Sequence, residues 1–215
     1  MAKIKSFQYW FQQEVEQKFG IKKVSKLQAL TDLLNVKPDS DDIERKRLEK
    51  LRIEVGDMIN ALGEEDLKMF FIAQLINIVG FINREYRMFF DQNLNGEING
   101  ETIGGKVDCL LAKGFQIPEE PFFFLQEYKS ESRKSTDPLG QLLAAMVLAQ
   151  VKNNAEEPLF GCYVNGRMWF FVALVGNKYA VSAAFDATQD DLYVVVALLR
   201  KIKRMFEEKI HFTNT

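Results

Sequence analysis

The run Pro121-Phe122-Phe123-Phe124-Leu125-Gln126-Glu127-Tyr128-Lys129 constrains this chain more than any other segment. Four consecutive large apolar residues leave neither face of a strand polar, so the run reads as a deeply buried strand. It then changes abruptly to Glu-Tyr-Lys. Side chains alternate faces along a strand, so Glu127 and Lys129 point one way and Tyr128 the other. Burying such charges is costly unless they pair or bind something. The charged end of the strand therefore has to open onto a cleft.

A second strand, Gly105-Lys106-Val107-Asp108-Cys109-Leu110-Leu111-Ala112, precedes it. If the two are neighbours, Asp108 completes a cluster of two acids and one lysine with Glu127 and Lys129. Two carboxylates beside a lysine suit metal-dependent phosphodiester chemistry. The competing reading is structural: Glu127 and Lys129 form an exposed pair at a strand end, worth little energetically, and Asp108 is a turn residue.

Around this pair the chain organises itself as follows. Phe7, Phe11, Val15 and Phe19 recur every four positions and predict a first helix closed by Gly20. Val24, Leu27, Leu30 and Leu34 predict a second, before Pro38. Asp39-Ser40-Asp41-Asp42 supplies an N-cap and acidic first turn for a third helix over about 43–62. A mostly apolar helix follows over about 64–82 and is expected to be central. Tyr86 to Phe90 reads as a strand, and Asn95-Gly96, Asn99-Gly100 and Gly104-Gly105 as turns. Thr136-Asp137-Pro138 opens a helix with proline at its first position. Asn165-Gly166 between two apolar runs predicts a hairpin, and Leu192 to Ile210 a long amphipathic helix. The expected fold is α/β (α+β): a mixed central sheet flanked by helices over 64–215, preceded by a helical elaboration over 1–63.

Composition narrows the function classes. The formal charge of the 215-residue chain is −2, which argues against an overall basic nucleic-acid coat protein but allows a local basic groove. Basic runs at Arg45 to Arg52 and Arg200 to Arg204 read as solvated helix faces. Cys109 and Cys162 both lie in apolar strands and read as reduced core thiols, not a disulfide or zinc site. The one histidine, His211, is expected at the surface. No apolar run is long enough to span a bilayer and the N-terminus lacks a signal-peptide core, so a cytoplasmic, non-membrane protein is expected.

Helix, strand, strand bearing Asp108, strand bearing Glu127-Tyr128-Lys129, then a helix: this order resembles the PD-(D/E)xK nuclease superfamily, the restriction-endonuclease-like fold. The likeness spans roughly 64–187 and extends to small bacterial members related to the nuclease portion of type I restriction subunits. Val107 stands where the motif's name has Pro. Gln141, in the helix after the motif, matches a glutamine that many members carry there. Ala145 four residues on departs from the Gln-x-x-x-Tyr signature of the recombination-exonuclease branch.

The resemblance implies a Mg²⁺- or Mn²⁺-dependent nuclease. Asp108, Glu127 and the Tyr128 backbone carbonyl would be metal ligands. Lys129 would orient or deprotonate the attacking water or stabilise the developing charge, and Gln141 would position the water. It implies DNA as the partner and a homodimer for two-strand cutting. The alternative is a nuclease-fold protein without turnover that binds nucleic acid or a protein partner.

Overall fold

The computed structural model describes residues 4–131, 137–154 and 157–212. Among these, nine strands form one mixed sheet: β1 (Lys5–Ser6), β2 (Lys22–Lys23), β3 (Tyr86–Ile98), β4 (Glu101–Lys113), β5 (Glu119–Lys129), β6 (Leu159–Asn165), β7 (Met168–Val175), β8 (Lys178–Val181) and β9 (Phe185–Asp186). The helices are α1 (Gln12–Phe19), α2 (Gln28–Leu34), α3 (Asp42–Met58), α4 (Glu64–Leu67), α5 (Ala73–Val79), α6 (Pro138–Asn153) and α7 (Asp191–Phe212). A π-turn, Lys68–Ile72, joins α4 to α5. The fold is α+β, as expected from the sequence.

The sheet runs β1-β4-β5-β6-β7-β8-β2, with β3 on β4 and β9 on β7. β5 and β6 are parallel, and the β3-β4, β4-β5 and β6-β7 pairs are antiparallel. Helices cover both faces. One core lies under α1 and α6 and includes Trp10, Val107, Leu110, Leu125, Leu142 and Val172. The other lies under α2, α3, α5 and α7 and includes Leu33, Leu51, Phe71, Phe124, Tyr128, Trp169 and Leu199. Residues before 64 add helices to both cores and two short strands to the sheet.

Three local expectations differ from what is observed. The first predicted helix begins only at Gln12: Phe11 is extended at the N-cap and Phe7 lies in a 3₁₀ turn. The central helix ends at Val79, because Gly80 takes a left-handed φ of 75°. Finally, Asn95-Gly96 and Gly104-Gly105 are not turns. Both lie inside the long β3-β4 hairpin, whose tip is Asn99-Gly100. These glycines answer to close packing instead. A side chain at Gly104 would overlap the Asn95 amide, and Gly105 (φ 142°) passes against Ser6 and Phe7.

β4 has two differently occupied edges. β3 pairs along one edge from Glu101 to Lys113. On the other edge β5 pairs only with Cys109 to Lys113, and β1 with Ile103 and Gly104. Residues 105–108 therefore face the place where β4 and β5 diverge. Side-chain alternation slips there too. Ile103 and Val107 share a core with Leu110 and Ala112, so odd positions give way to even ones at Asp108. On β3 the same slip separates Phe89 from Leu94, around Asp91, which has a φ of 52°. Asp108 thus stands at a break in the ladder and turns toward the gap instead of into a core.

Candidate active site at the divergence of β4 and β5

The gap gathers five charged side chains. Asp108 Oδ2 accepts a hydrogen bond from the Tyr128 backbone N–H at 2.8 Å, taking the place of a ladder carbonyl. Asp108 Oδ1 accepts one from Lys68 Nζ at 3.0 Å. Lys129 Nζ donates to Glu127 Oε1 at 2.6 Å and to the Tyr128 carbonyl at 3.1 Å. Glu64, the first residue of α4, joins the halves: its carboxylate lies 3.7 Å from Lys68 Nζ and 3.8 Å from Lys129 Nζ. A continuous chain Asp108–Lys68–Glu64–Lys129–Glu127 results.

The fold explains how each group arrives. Glu127 and Lys129 are two residues apart on one strand, hence on one face. Tyr128 points to the other, where its hydroxyl donates to Gln126 Oε1. Glu64 begins a helix after Gly63, where a carboxylate complements the helix dipole. Lys68 follows one turn later on the same side.

Burial sets the electrostatics. Glu127 and Lys129 are each 7% exposed, so the expectation of an exposed lysine at a strand end is wrong: the end of β5 remains inside, with the Glu64 carboxylate of α4 3.8 Å from the Lys129 ammonium. Burial, reinforced by the charge of Asp108 and opposed by Lys129, pushes the Glu127 carboxyl up to about 8. For Lys68 burial favours the neutral amine, but Asp108, Glu65 and Glu64 together outweigh it and hold the ammonium charged. The reading of Glu127 and Lys129 as a solvent-exposed pair does not survive this geometry: they are paired, but buried.

Gln141 lies in the first turn of α6. Asp137 fixes that turn: Oδ1 accepts from the Gly140 N–H at 2.9 Å, and Oδ2 accepts from the Gln12 N–H at 2.6 Å. Thr136, expected to share the helix start, lies outside the described residues. α6 packs on the sheet face that carries Leu125, and Leu142 and Met146 lie over Gly161 of β6. Glu127 and Lys129 follow Leu125 on that face. Gln141 is therefore buried on the same side as the motif, and among the described residues its Nε2 has no hydrogen-bond partner. No hydrogen bond ties it to Asp108, Glu127 or Lys129.

The remaining expected features fall as follows. Cys109 and Cys162 are free, buried thiols, and burial holds both well above the usual thiol range. His211 is exposed near the end of α7. Arg200 pairs with Glu44, and Lys201 donates to the Asp32 and Asn35 carbonyls, so part of that basic run serves the fold. Among the described residues, no helix is long and apolar enough to cross a membrane.

The oxygen set of Asp108, Glu127 and the Tyr128 carbonyl suits a hard divalent cation, whose shell waters would complete. The set is small. Among the described residues, no group of three or more His, Cys, Asp or Glu side chains is arranged to hold a metal. Lys68, absent from the sequence-based set, is the functional residue that reasoning missed. Its signal was present: it is the cation in a mostly apolar helix, four residues after Glu64.

No family model matches the chain, and no curated protein matches it.

Proposed function

We propose that the chain is a divalent-metal-dependent phosphodiester hydrolase acting on nucleic acid, with DNA as its substrate. One observation carries this reading. Asp108 from one strand and Glu127 and Lys129 from the next are linked through Lys68 and Glu64 into one largely buried chain of charges where those strands part, an arrangement costly to bury for structural reasons alone. The resemblance to the PD-(D/E)xK superfamily rests on Asp108, Glu127 and Lys129.

In this reading Asp108, Glu127 and the Tyr128 carbonyl would hold Mg²⁺ or Mn²⁺, which when bound would polarise the scissile phosphate and acidify a coordinated water. Glu127, pushed up to about 8, would serve as a ligand in its ionised form, with its proton lost to solvent. Lys129 shares an oxygen with Glu127 and reaches the Tyr128 carbonyl, so its ammonium stands next to both ligand groups. From there it meets the attacking water or the charge that develops on the phosphoryl oxygens. Gln141 supplies a buried amide donor on the same face of the sheet.

A second reading has its own support. Each carboxylate of the motif already contacts a lysine, and among the described residues no group of three ligand side chains is preformed. A nuclease-fold module that binds nucleic acid or a protein partner without turnover would tolerate this. Cleavage of single- and double-stranded DNA and RNA with and without millimolar Mg²⁺ or Mn²⁺ separates the two. The enzyme reading expects metal-dependent cleavage abolished in Lys129→Ala. Absence of cleavage in every metal and substrate combination favours the binding module.

A further inference from the structure

Lys68 enters the cluster from a different element, forty residues before Asp108 in the chain, so its presence there is a property of the fold. Its side chain is 14% exposed. Besides the 3.0 Å contact with Asp108 Oδ1, its Nζ lies 3.3 Å from Glu65 Oε1 and 3.7 Å from Glu64 Oε1. It opens the π-turn Lys68–Ile72, a wide helical turn of a kind frequent at functional sites. Phe71 and Ile72 of that turn are buried, which fixes the backbone from which the lysine reaches out.

The two oxygens of Asp108 have separate tasks. Oδ2 is committed to the Tyr128 N–H and so to the register of the diverging strands. Oδ1 is the oxygen on which Lys68 rests. A small divalent cation binds a carboxylate oxygen at about 2.1 Å. An ammonium held on the same oxygen would then face it at close range, in a site largely screened from water, where like charges repel strongly. A divalent metal on Oδ1 would therefore be opposed by the ammonium already resting there.

We infer that Lys68 is a competing cation: its ammonium holds Asp108 in position and opposes a divalent metal on Oδ1, so that Lys68 sets how much metal the site demands. This rests on the reading of Asp108 and Glu127 as metal carboxylates. The alternative berth for the ammonium is already in place. Glu64 and Glu65 lie on its own helix within 3.7 Å and 3.3 Å, so leaving Asp108 requires rotation of the lysine stem and no movement of the backbone.

The test is a titration of Mn²⁺ alone against the purified chain, read as the midpoint of the metal-induced rise in melting temperature. Wild type, Lys68→Met, Lys68→Gln and Lys68→Arg are compared, and cleavage is measured on the same preparations. Lys68→Met is expected to reach its midpoint at about one tenth of the wild-type metal concentration or lower. Lys68→Arg keeps the charge and should stay near wild type. Lys68→Gln keeps a neutral donor to Asp108, should follow the methionine variant, and serves if that variant does not fold. Equal midpoints in wild type and the neutral variants overturn the role given to Lys68 while leaving the metal site standing. So does a wild type that responds beside neutral variants that do not, since Lys68 would then support the metal. No response in any of the four proteins overturns the metal site itself, and the competition with it.

Discussion

The two halves of β5 are equally buried and chemically opposite. Phe122 to Leu125 are at most 5% exposed, and Gln126 to Lys129 at most 7%. Phe124 and Leu125 lie between β4 and β6, and the rings of the first half enter both cores. Beyond Gln126 the second half keeps β6 but no longer pairs with β4, and it carries an acid and a base. Each phenylalanine of the first half contributes roughly 1.5–3 kcal/mol by leaving water. Glu127 and Lys129 gain little from burial and are kept by mutual neutralisation and by Glu64, Lys68 and Asp108 around them. One strand thus separates apolar packing from buried charge along its length: the apolar half holds the sheet, and the charged half is held by it.

The comparison breaks first at Phe124. Its ring is fully buried, so Phe124→Ala should cost about 3–5 kcal/mol through the cavity it leaves. For a chain of this size that lowers the melting temperature by roughly 6–20 °C. Cleavage, if measured well below the transition, should fall only with the folded fraction. A variant that melts within a few degrees of wild type would show that the first half is not the stabilising one.

Lys129→Met should reverse the pattern. Methionine fills most of the lysine's volume, and Glu127 can shed its charge by taking up a proton, since its carboxyl is already pushed up to about 8. A loss of about 1–3 kcal/mol is expected, less than for Phe124→Ala. Cleavage should fall by about two or more orders of magnitude. Unfolding as severe as that of the phenylalanine variant would make the Glu127–Lys129 pair structural.

How much of this the sequence discloses follows from the range of the interactions. Glu127, Tyr128 and Lys129 are adjacent, so strand alternation places them from local pattern alone. Asp108 lies on the preceding strand of the same antiparallel pair and is found by the same logic. The ladder slip at Asp91 and Asp108 is not visible, because it depends on β4 exchanging β5 for β1 across residues 105–108. Gly104 and Gly105 read as a turn because glycine permits both turns and close contacts, and the contacts, with Asn95, Ser6 and Phe7, are tertiary. Lys68 has a local partner in Glu64, but the one that gives it meaning is forty residues on. Lys129 reads as exposed because nothing nearby in sequence says that Glu64 will cover it.

Acidity offers a finer distinction between the halves. Glu127 has a folded value of about 8 against an ordinary 4.5, so the folded state binds its proton more tightly than the unfolded chain does. Its contribution to stability is most favourable below about 4.5 and is lost as pH rises toward about 8. Glu127→Gln removes this loss. The melting temperature of the variant relative to wild type should climb between pH 5 and 8 and level off above. Phe124→Ala should show no such trend. A relative stability that is flat over that window would mean that Lys129 keeps Glu127 ionised throughout.

Gln141 gives the smallest expected change in stability. Its amide nitrogen is buried without a partner, and an unsatisfied donor costs about 1–3 kcal/mol. Methionine has a similar shape and no polar atoms to desolvate. Gln141→Met should therefore leave unfolding within about 1 kcal/mol of wild type, or stabilise slightly. The residue sits on the sheet face of Glu127 and Lys129 in a helix turn fixed by Asp137, so a donor kept there at that cost points to a use elsewhere than in folding. Cleavage should fall about tenfold or more in the variant if the amide contacts water or phosphate. Unchanged cleavage together with a stability gain would remove Gln141 from the site and confine the chemistry to the charged end of β5 and its partners across the gap.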